Sequence, residues 1–134
     1  MVDFKEIGVK TQKRSHWVDI TSEINTALRF SSVQNGIVTV SSVHTTAGLT
    51  INENADPDVG RDFFWKLNQL VPQENAYHHM EGNSDSHVKA SLVGFSVQVP
   101  VRDGKLILGT WQSIYFCEFD GPRNRRVMVT IQGE

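Results

Sequence analysis

A predicted β-hairpin centred on Asp103-Gly104 constrains the fold of this sequence more than any other feature. Residues 95–101 alternate between apolar and polar side chains, which is the pattern of a strand with one buried face. Asp-Gly favours a tight two-residue turn, because such turns need left-handed backbone angles that these residues tolerate. The chain is then expected to return as a second strand over residues 106–111. This hairpin predicts antiparallel strand pairing.

Five further segments have the composition of strands. They are residues 3–10, 15–19, 37–43, 113–119 and 126–132. Helices are predicted over residues 21–31, from Pro57 to about residue 71 after an Asp56 N-cap, and from Ser84 or Asp85 to Val93. The sequence therefore predicts an α+β fold, a single domain over residues 1–134 with a mainly antiparallel sheet, sandwich-like or barrel-like, and two to three helices.

The predicted buried faces of the second and third helices follow from the spacing of their apolar residues. In the second helix these are Phe63, Phe64, Leu67, Leu70 and Val71. In the third helix Val88 and Leu92 are predicted to point inward, and Gly94 to end the helix.

Composition excludes several classes of function. A net charge of -2 over 134 residues gives no basic face for a nucleic acid. No apolar run approaches the roughly 20 residues needed to cross a bilayer, and the first residues lack the pattern of a signal peptide. The single cysteine, Cys117, is expected to be a small core residue, and it suits a reducing cytoplasm. Motifs for nucleotide binding, serine hydrolases and dithiol redox chemistry are absent.

The first cluster of candidate site residues lies between the strand that ends at Val43 and the helix that begins at Pro57. It contains His44, Thr45, Thr46, Glu53 and Asn54, and we interpret it as an active-site loop. Glu53 is a candidate general base or metal ligand, and His44 a candidate catalytic residue or ligand. A turn histidine bonded to its own backbone is an equally open interpretation of His44.

The second cluster spans residues 78–87 and carries three histidines. His79 and His87 flank Glu81 and the turn Gly82-Asn83-Ser84, which precedes a predicted helix. The free backbone N–H groups and the dipole at a helix N-terminus suit a phosphate or carboxylate. Imidazole and carboxylate together can also hold a divalent ion, although the spacing is not a zinc motif. The alternative is that Ser84 only caps the helix and His87 lies at the surface.

A third group lies near the end of the chain. Trp111 can stack on a ring although packing is its commoner role, Gln112 can hydrogen-bond a heterocycle, and Arg123 can hold a phosphate with two hydrogen bonds. All three are therefore candidate substrate-binding residues.

The three motifs together, over residues 44–59, 79–92 and 108–123, resemble the YjbQ-like family of small bacterial and archaeal proteins. The resemblance covers nearly the whole chain; Met80 departs from it, since a polar residue is expected there. It implies that His44, His79 and His87 belong to one site, with Glu53, Glu81 and Asn83 nearby. It also implies a homotrimer and a secondary thiamine-phosphate synthase activity.

The leading hypothesis is an enzyme that acts on a small phosphorylated or heterocyclic metabolite, with thiamine-phosphate synthesis as the activity that the resemblance suggests. A metal-dependent hydrolase is the first alternative: His44, His79 and His87 would hold zinc or magnesium, and Glu53 or Glu81 would act as the base. A metabolite-binding or metal-binding module without turnover is the second. No nucleic acid or membrane partner is expected.

Overall fold

The computed structural model describes residues 1–134, which form eight strands and three helices. The strands are β1 (Val2–Lys10), β2 (His16–Asp19), β3 (Gly36–Ser42), β4 (Ala47–Glu53), β5 (Ser96–Arg102), β6 (Lys105–Leu106), β7 (Gln112–Glu118) and β8 (Asn124–Gly133). The helices are α1 (Thr21–Ser31), α2 (Pro57–Leu70) and α3 (Ser84–Val93). None of the helices is long and apolar enough to cross a membrane.

All strand pairs are antiparallel and belong to two sheets. The larger sheet has the order β1-β8-β3-β5-β6, and the smaller has the order β2-β7-β4. Their inner faces and α1 enclose the main core, which contains Ile24, Leu28, Val40, Phe116 and Val129. This arrangement confirms the predicted α+β class with a mainly antiparallel sheet.

The hairpin at Asp103-Gly104 and the start of α2 form as predicted. Asp103 and Gly104 both have positive φ, and Arg102 pairs with Lys105 across the turn. The returning strand is shorter than expected, because only Lys105–Leu106 pairs with β5. At α2 the Asp56 carboxylate accepts a hydrogen bond from the backbone N–H of Asp58 at 2.9 Å, so the predicted cap is present.

The stretch that we interpreted as one active-site loop contains a strand. β4 runs from Ala47 to Glu53 and pairs along its whole length with β7. It was missed because Gly48, Thr50 and Asn52 weaken its apolar pattern. A seven-residue strand separates its ends by about 20 Å, so residues before and after β4 lie at opposite ends of the smaller sheet.

The buried face of α3 is polar, not apolar as predicted. Val88 and Leu92 are 41% and 64% exposed, whereas Asp85 and Lys89 are almost completely buried. Lys89 Nζ donates to Asp85 Oδ2 at 2.7 Å and to Asn68 on α2 at 2.6 Å. A buried ion pair with satisfied hydrogen bonds therefore takes the place of apolar packing under α3.

Aromatic packing joins α2 to the smaller sheet. Trp17 on β2 stacks between Tyr115 and Phe63, with ring centroids 4.1 and 5.3 Å away. Phe63, Phe64 and Leu67 are half-buried there as predicted, but Leu70 is 66% exposed. The face of α2 that contacts the sheet is therefore narrower than its sequence pattern indicates.

Candidate functional site

The two histidine clusters meet at one polar cleft of about 470 Å³. The segment after β3 brings His44 to it, the segment before α3 brings His79, and the segment between β7 and β8 brings Arg123. Its wall is formed by Val43, His44, Thr45, Thr46, His79, Glu81, Asn83, His87, Asp120, Arg123 and Arg125. We call this the polar cleft.

His44 is held by two backbone contacts. Ser42 Oγ accepts a hydrogen bond from the His44 backbone N–H at 3.1 Å, and His44 Nε2 accepts one from the Arg126 backbone N–H at 3.0 Å. Because Nε2 is the acceptor, the neutral imidazole carries its proton on Nδ1. Burial, and then the positive charges of Arg125 and Arg126, lower the pKa of His44. His44 is therefore a neutral Nδ1–H donor near pH 7.

A buried ion pair forms the base of the polar cleft. Arg125 is 7% exposed and Glu118 is fully buried. Arg125 Nε donates to Glu118 Oε1 at 2.8 Å, and Nη2 donates to both Glu118 Oε2 and Thr46 Oγ1. Thr11 Oγ1 and the Asp120 backbone N–H also donate to the carboxylate. Both oxygens of the Glu118 carboxylate, and the Nε and Nη2 atoms of Arg125, therefore have hydrogen-bond partners within the chain, as a buried ion pair requires.

Glu118 is ionised in this setting. Burial alone would raise the pKa of its carboxyl group, but the hydrogen bonds from Arg125 and Thr11 outweigh burial and lower the pKa. Arg125 is held in one orientation by Glu118 and Thr46, and its Nη1 makes no hydrogen bond within the chain. The guanidinium thus presents a fixed positive charge at the cleft.

Arg123 lies at the rim of the cleft. Its Nε donates to the Asp120 backbone oxygen at 2.7 Å and its Nη2 to Asp120 Oδ2 at 3.0 Å. Asn83 Nδ2 donates to the same carboxylate oxygen at 2.8 Å, while Asn83 Oδ1 is buried without a partner. Asp120 therefore orients both side chains, and 53% of the Arg123 side chain remains exposed.

His79 and His87 lie together in the wall of the polar cleft. Their ring centroids are 5.3 Å apart, with the rings nearly perpendicular, and His79 Nε2 is 3.9 Å from Glu81 Oε1. Ser84, the first residue of α3, is buried, and its Oγ has no hydrogen-bond partner. Gly82 has a φ of 80°, which glycine adopts without strain. The predicted turn before α3 is thus part of this wall.

The three histidines form no metal-binding group in this arrangement. No group of three histidine, cysteine or carboxylate side chains is positioned to hold a metal. His44 Nε2 already accepts a hydrogen bond, and its Nδ1 carries the proton. The zinc or magnesium site over His44, His79 and His87 therefore stays a prediction.

Comparison with known proteins places the chain in a family. Residues 5–134 match the sequence model of the family described as UPF0047 protein YjbQ-like. The UPF0047 protein MJ1081 of Methanocaldococcus jannaschii is 52% identical, and the match covers 94% of this chain and 91% of that protein. YugU of Bacillus subtilis is 48% identical, with 96% and 98% covered. The chain belongs to the YjbQ-like family.

Solved structures of the YjbQ-like family have the same fold. A protein of Clostridium acetobutylicum, 51% identical, superposes with a TM-score of 0.94 over 96% of this chain and 99% of its own. A YjbQ-like protein of unknown function from Sulfolobus solfataricus, 34% identical, superposes with a TM-score of 0.96 over 100% and 99%. This chain therefore has the fold of the family over its whole length.

Four predicted site residues of this YjbQ-like chain do not reach the polar cleft. Glu53, Asn54, Trp111 and Gln112 lie at the far end of β4 and β7, where Glu53 pairs with Gln112. Asn54 Nδ2 donates there to Ser113 Oγ at 2.7 Å, and Gln112 Oε1 accepts from the Gly109 backbone N–H. Glu53 and Asn54 were grouped with His44 because β4 was interpreted as a loop, and Trp111 and Gln112 were predicted as a separate substrate-binding group.

Sequence reasoning also missed the ion pair between Arg125 and Glu118. A signal for it was present in the sequence, because Glu118 lies between the apolar run of residues 114–117 and Phe119 in a predicted strand. A carboxylate in a fully buried strand needs a cationic or hydrogen-bonding partner. Among the three arginines at 123, 125 and 126, the strand alternation of β8 points Arg125 to the inner face.

Proposed function

We propose that the polar cleft binds the phosphate group of a small metabolite, and that this YjbQ-like chain is an enzyme acting on that metabolite. One observation carries the proposal: His44, Arg123 and Arg125 are each fixed by a hydrogen bond within the chain, and each keeps an N–H group free at the same cleft. Donors held in place before the ligand arrives bind an anion with little reorganisation.

The charges around the cleft favour an anion over a cation. Two of its carboxylates are already engaged: Glu118 beneath it by Arg125, and Asp120 by Arg123 and Asn83. Glu81 is the remaining carboxylate, and 74% of its side chain is exposed. A phosphate is the common metabolite group that matches two arginines and a neutral imidazole donor.

His87 is the best-placed side chain for proton transfer. It lies on the first turns of α3, beside His79, and lines the polar cleft together with Arg123. Neither ring nitrogen of His87 makes a hydrogen bond within the chain, so the ring is free to accept or donate a proton. His44 supplies a hydrogen bond instead of a base, and Glu81 can orient His79.

Thiamine-phosphate synthesis is one reaction of the proposed class. It joins a pyrimidine diphosphate to a thiazole phosphate, and cationic groups must stabilise the pyrophosphate that leaves. Arg123 and Arg125 suit that demand. This activity remains a proposal that rests on the resemblance of the motifs.

We also propose a homotrimer in the cytoplasm. The large apolar side chain of Leu92 on α3 is 64% exposed, and another copy of the chain would cover it. The one thiol is inert, because burial raises the pKa of Cys117 to about 12, and a chain without disulfides suits a reducing compartment. Sedimentation equilibrium at micromolar concentration distinguishes trimer from monomer.

Binding calorimetry with inorganic phosphate tests the proposed site. Arg123→Met is expected to weaken phosphate binding by about tenfold or more, because a charge-assisted pair of hydrogen bonds is lost. Arg126→Met is the matched control, since Arg126 pairs with Glu6 at 2.7 Å and does not line the cleft. Equal loss in both variants, or no phosphate binding by the wild type, would contradict the proposal.

Phosphorus NMR of a panel of phosphorylated metabolites tests for turnover. An enzyme is expected to convert at least one of them, and His87→Asn is expected to abolish conversion while phosphate affinity stays within a few-fold. Binding without conversion across the panel would favour a metabolite-binding module. Elemental analysis of the untagged protein tests the predicted metal site. Near-stoichiometric metal in the wild type that is lost in a folded triple variant, His44→Ala with His79→Ala and His87→Ala, would support that site.

A further inference from the structure

A second cavity of about 500 Å³ opens directly beside the polar cleft. The two share His44, Thr45 and His87 in their walls, so the cavities adjoin each other at these residues. The remaining wall consists of Ala47, Ala90, Ser91, Gly94 and Phe95. We call this the apolar cavity.

The chemistry of the apolar cavity differs from that of the polar cleft. Apart from the shared histidines, no ionisable side chain lines this cavity. Thr45 and Ser91 supply the hydroxyl groups in its wall. Phe95, which is 65% exposed, and Ala90 both line this wall. A charged group placed here would lose hydrogen bonds to water and gain no protein partner in return. An apolar group makes no such hydrogen bonds, so it can enter the cavity without that loss.

The wall of the apolar cavity is rigid. The Leu49 backbone N–H donates to the Gly94 carbonyl at 3.0 Å, and the Ser42 backbone N–H donates to the Phe95 carbonyl at 2.7 Å. α3 and β4 approach so closely that a Cβ atom on Gly48 would lie 2.6 Å from the Gly94 oxygen. The end of α3 is thus fixed to both sheets, and the cavity is formed before a ligand binds.

From this pairing of cavities we infer that the ligand is a phosphate monoester with an uncharged, ring-sized body. The phosphate lies between His44 and the two arginines, and the body lies against Phe95 and Ala90. The inference rests on the proposed phosphate site and narrows its substrate class. It excludes substrates whose ring-sized body itself carries a charge, because no ionisable side chain other than the shared histidines lines the apolar cavity.

Three probes of increasing size separate the phosphate site from the body site: inorganic phosphate, methylphosphonate and phenylphosphonate. In calorimetry the wild type is expected to bind phenylphosphonate about tenfold more tightly than methylphosphonate, because the phenyl ring leaves water. Phe95→Ala removes the ring that contacts it, and Ser91→Leu fills the cavity from an exposed helix position. Both variants are expected to lose the preference for phenylphosphonate and to keep the affinity for inorganic phosphate.

Phe30→Ala is the matched control, because Phe30 is 84% exposed on α1 and does not line either cavity. Equal affinity for the two phosphonates, or a phenyl preference that survives both Phe95→Ala and Ser91→Leu, would overturn the inference and leave the phosphate site standing. Failure of all three probes to bind would overturn the phosphate site as well. Circular dichroism of each variant identifies a change in fold.

Discussion

The Nε2 atom of His44 accepts a hydrogen bond from the backbone N–H of Arg126 at 3.0 Å. This contact joins the segment after β3 to the third residue of β8, and it fixes which nitrogen of the imidazole carries the proton. His44 is therefore set to donate from Nδ1 into the cleft. The same chain segment places Arg125 beneath His44, where Glu118 holds it.

Replacing His44 with glutamine tests its role as a donor. His44→Gln is expected to weaken binding of inorganic phosphate by tenfold to a hundredfold, because a hydrogen bond to a charged group contributes about 1.5–3 kcal/mol. Calorimetry measures the loss. His78→Gln is the control, since His78 is an exposed histidine of the second cluster and does not line the cleft. A loss in His78→Gln as large as that in His44→Gln would contradict the assigned role.

Breaking the pair between Arg125 and Glu118 is expected to destabilise the fold. Arg125→Met leaves the Glu118 carboxylate buried without its cation, which costs about 3–5 kcal/mol. Urea unfolding measures this as a lower midpoint with an unchanged slope. Arg126→Met breaks only an exposed pair with Glu6 and is expected to cost about 0–1 kcal/mol. Similar losses for the two arginines would show that the buried pair is not a stabilising element.

Acid is expected to weaken the fold through Glu118 and Asp85. Burial alone would raise the pKa of each carboxyl group, but hydrogen bonds from Arg125 and Thr11, and from Lys89 and Arg14, lower both below their ordinary values of 4.5 and 3.8. The stability that the two carboxylates contribute is thus fully present when the pH is above their ordinary pKa values. It is lost as the pH falls through their lowered pKa values in the folded state.

Glu118→Gln checks the sign of this dependence. Protonated Glu118 resembles glutamine, so the wild type is expected to exceed the variant in stability at pH 7 and to lose that advantage below about pH 4. Urea midpoints of both proteins across the acid range measure the difference. A gap that stays constant or widens on acidification would contradict the assigned ionisation of Glu118.

Gly60 is expected to tolerate no side chain although it lies inside α2. A Cβ atom there would lie 2.7 Å from Cζ2 of Trp17, which is stacked on Tyr115 and cannot move freely. Gly60→Ala is therefore expected to cost about 1–3 kcal/mol, despite the better helix propensity of alanine. Gly8→Ala in β1, with nothing within 4 Å of the new atom, is the control. Thermal unfolding followed by tryptophan fluorescence measures both.

The parts of the fold that local chemistry determines were predictable from the sequence. Asp56 and Pro57 form the start of α2, and Asp103-Gly104 forms a hairpin, because each pair satisfies a backbone requirement by itself. β4 was not predictable in this way. Its alternation is broken by Gly48, which packs against α3, and by polar residues near its end. Its pairing with β7 is a contact between distant parts of the chain.

The polar interior was the least predictable part. Periodicity predicted that Val88 and Leu92 form the buried face of α3, whereas the buried side chains are Asp85 and Lys89. Lys89 and Arg14 both form ion pairs with Asp85. A pattern of apolar residues contains no information about such a pair. The motifs were enough to predict that the histidines belong to the site. Predicting that Arg125 and Glu118 pair with each other would have required the register of β7 and β8.

The most direct test of the phosphate site is a long-range proton–nitrogen NMR spectrum of the histidine rings, recorded during a titration with inorganic phosphate at neutral pH. His44 is expected to show an unprotonated Nε2 and a protonated Nδ1, and the His44 signals are expected to shift as phosphate binds. His78, exposed and outside the cleft, is expected not to shift. His44 signals that stay unchanged at saturating phosphate, or a His44 ring protonated on Nε2, would contradict the proposed anion site.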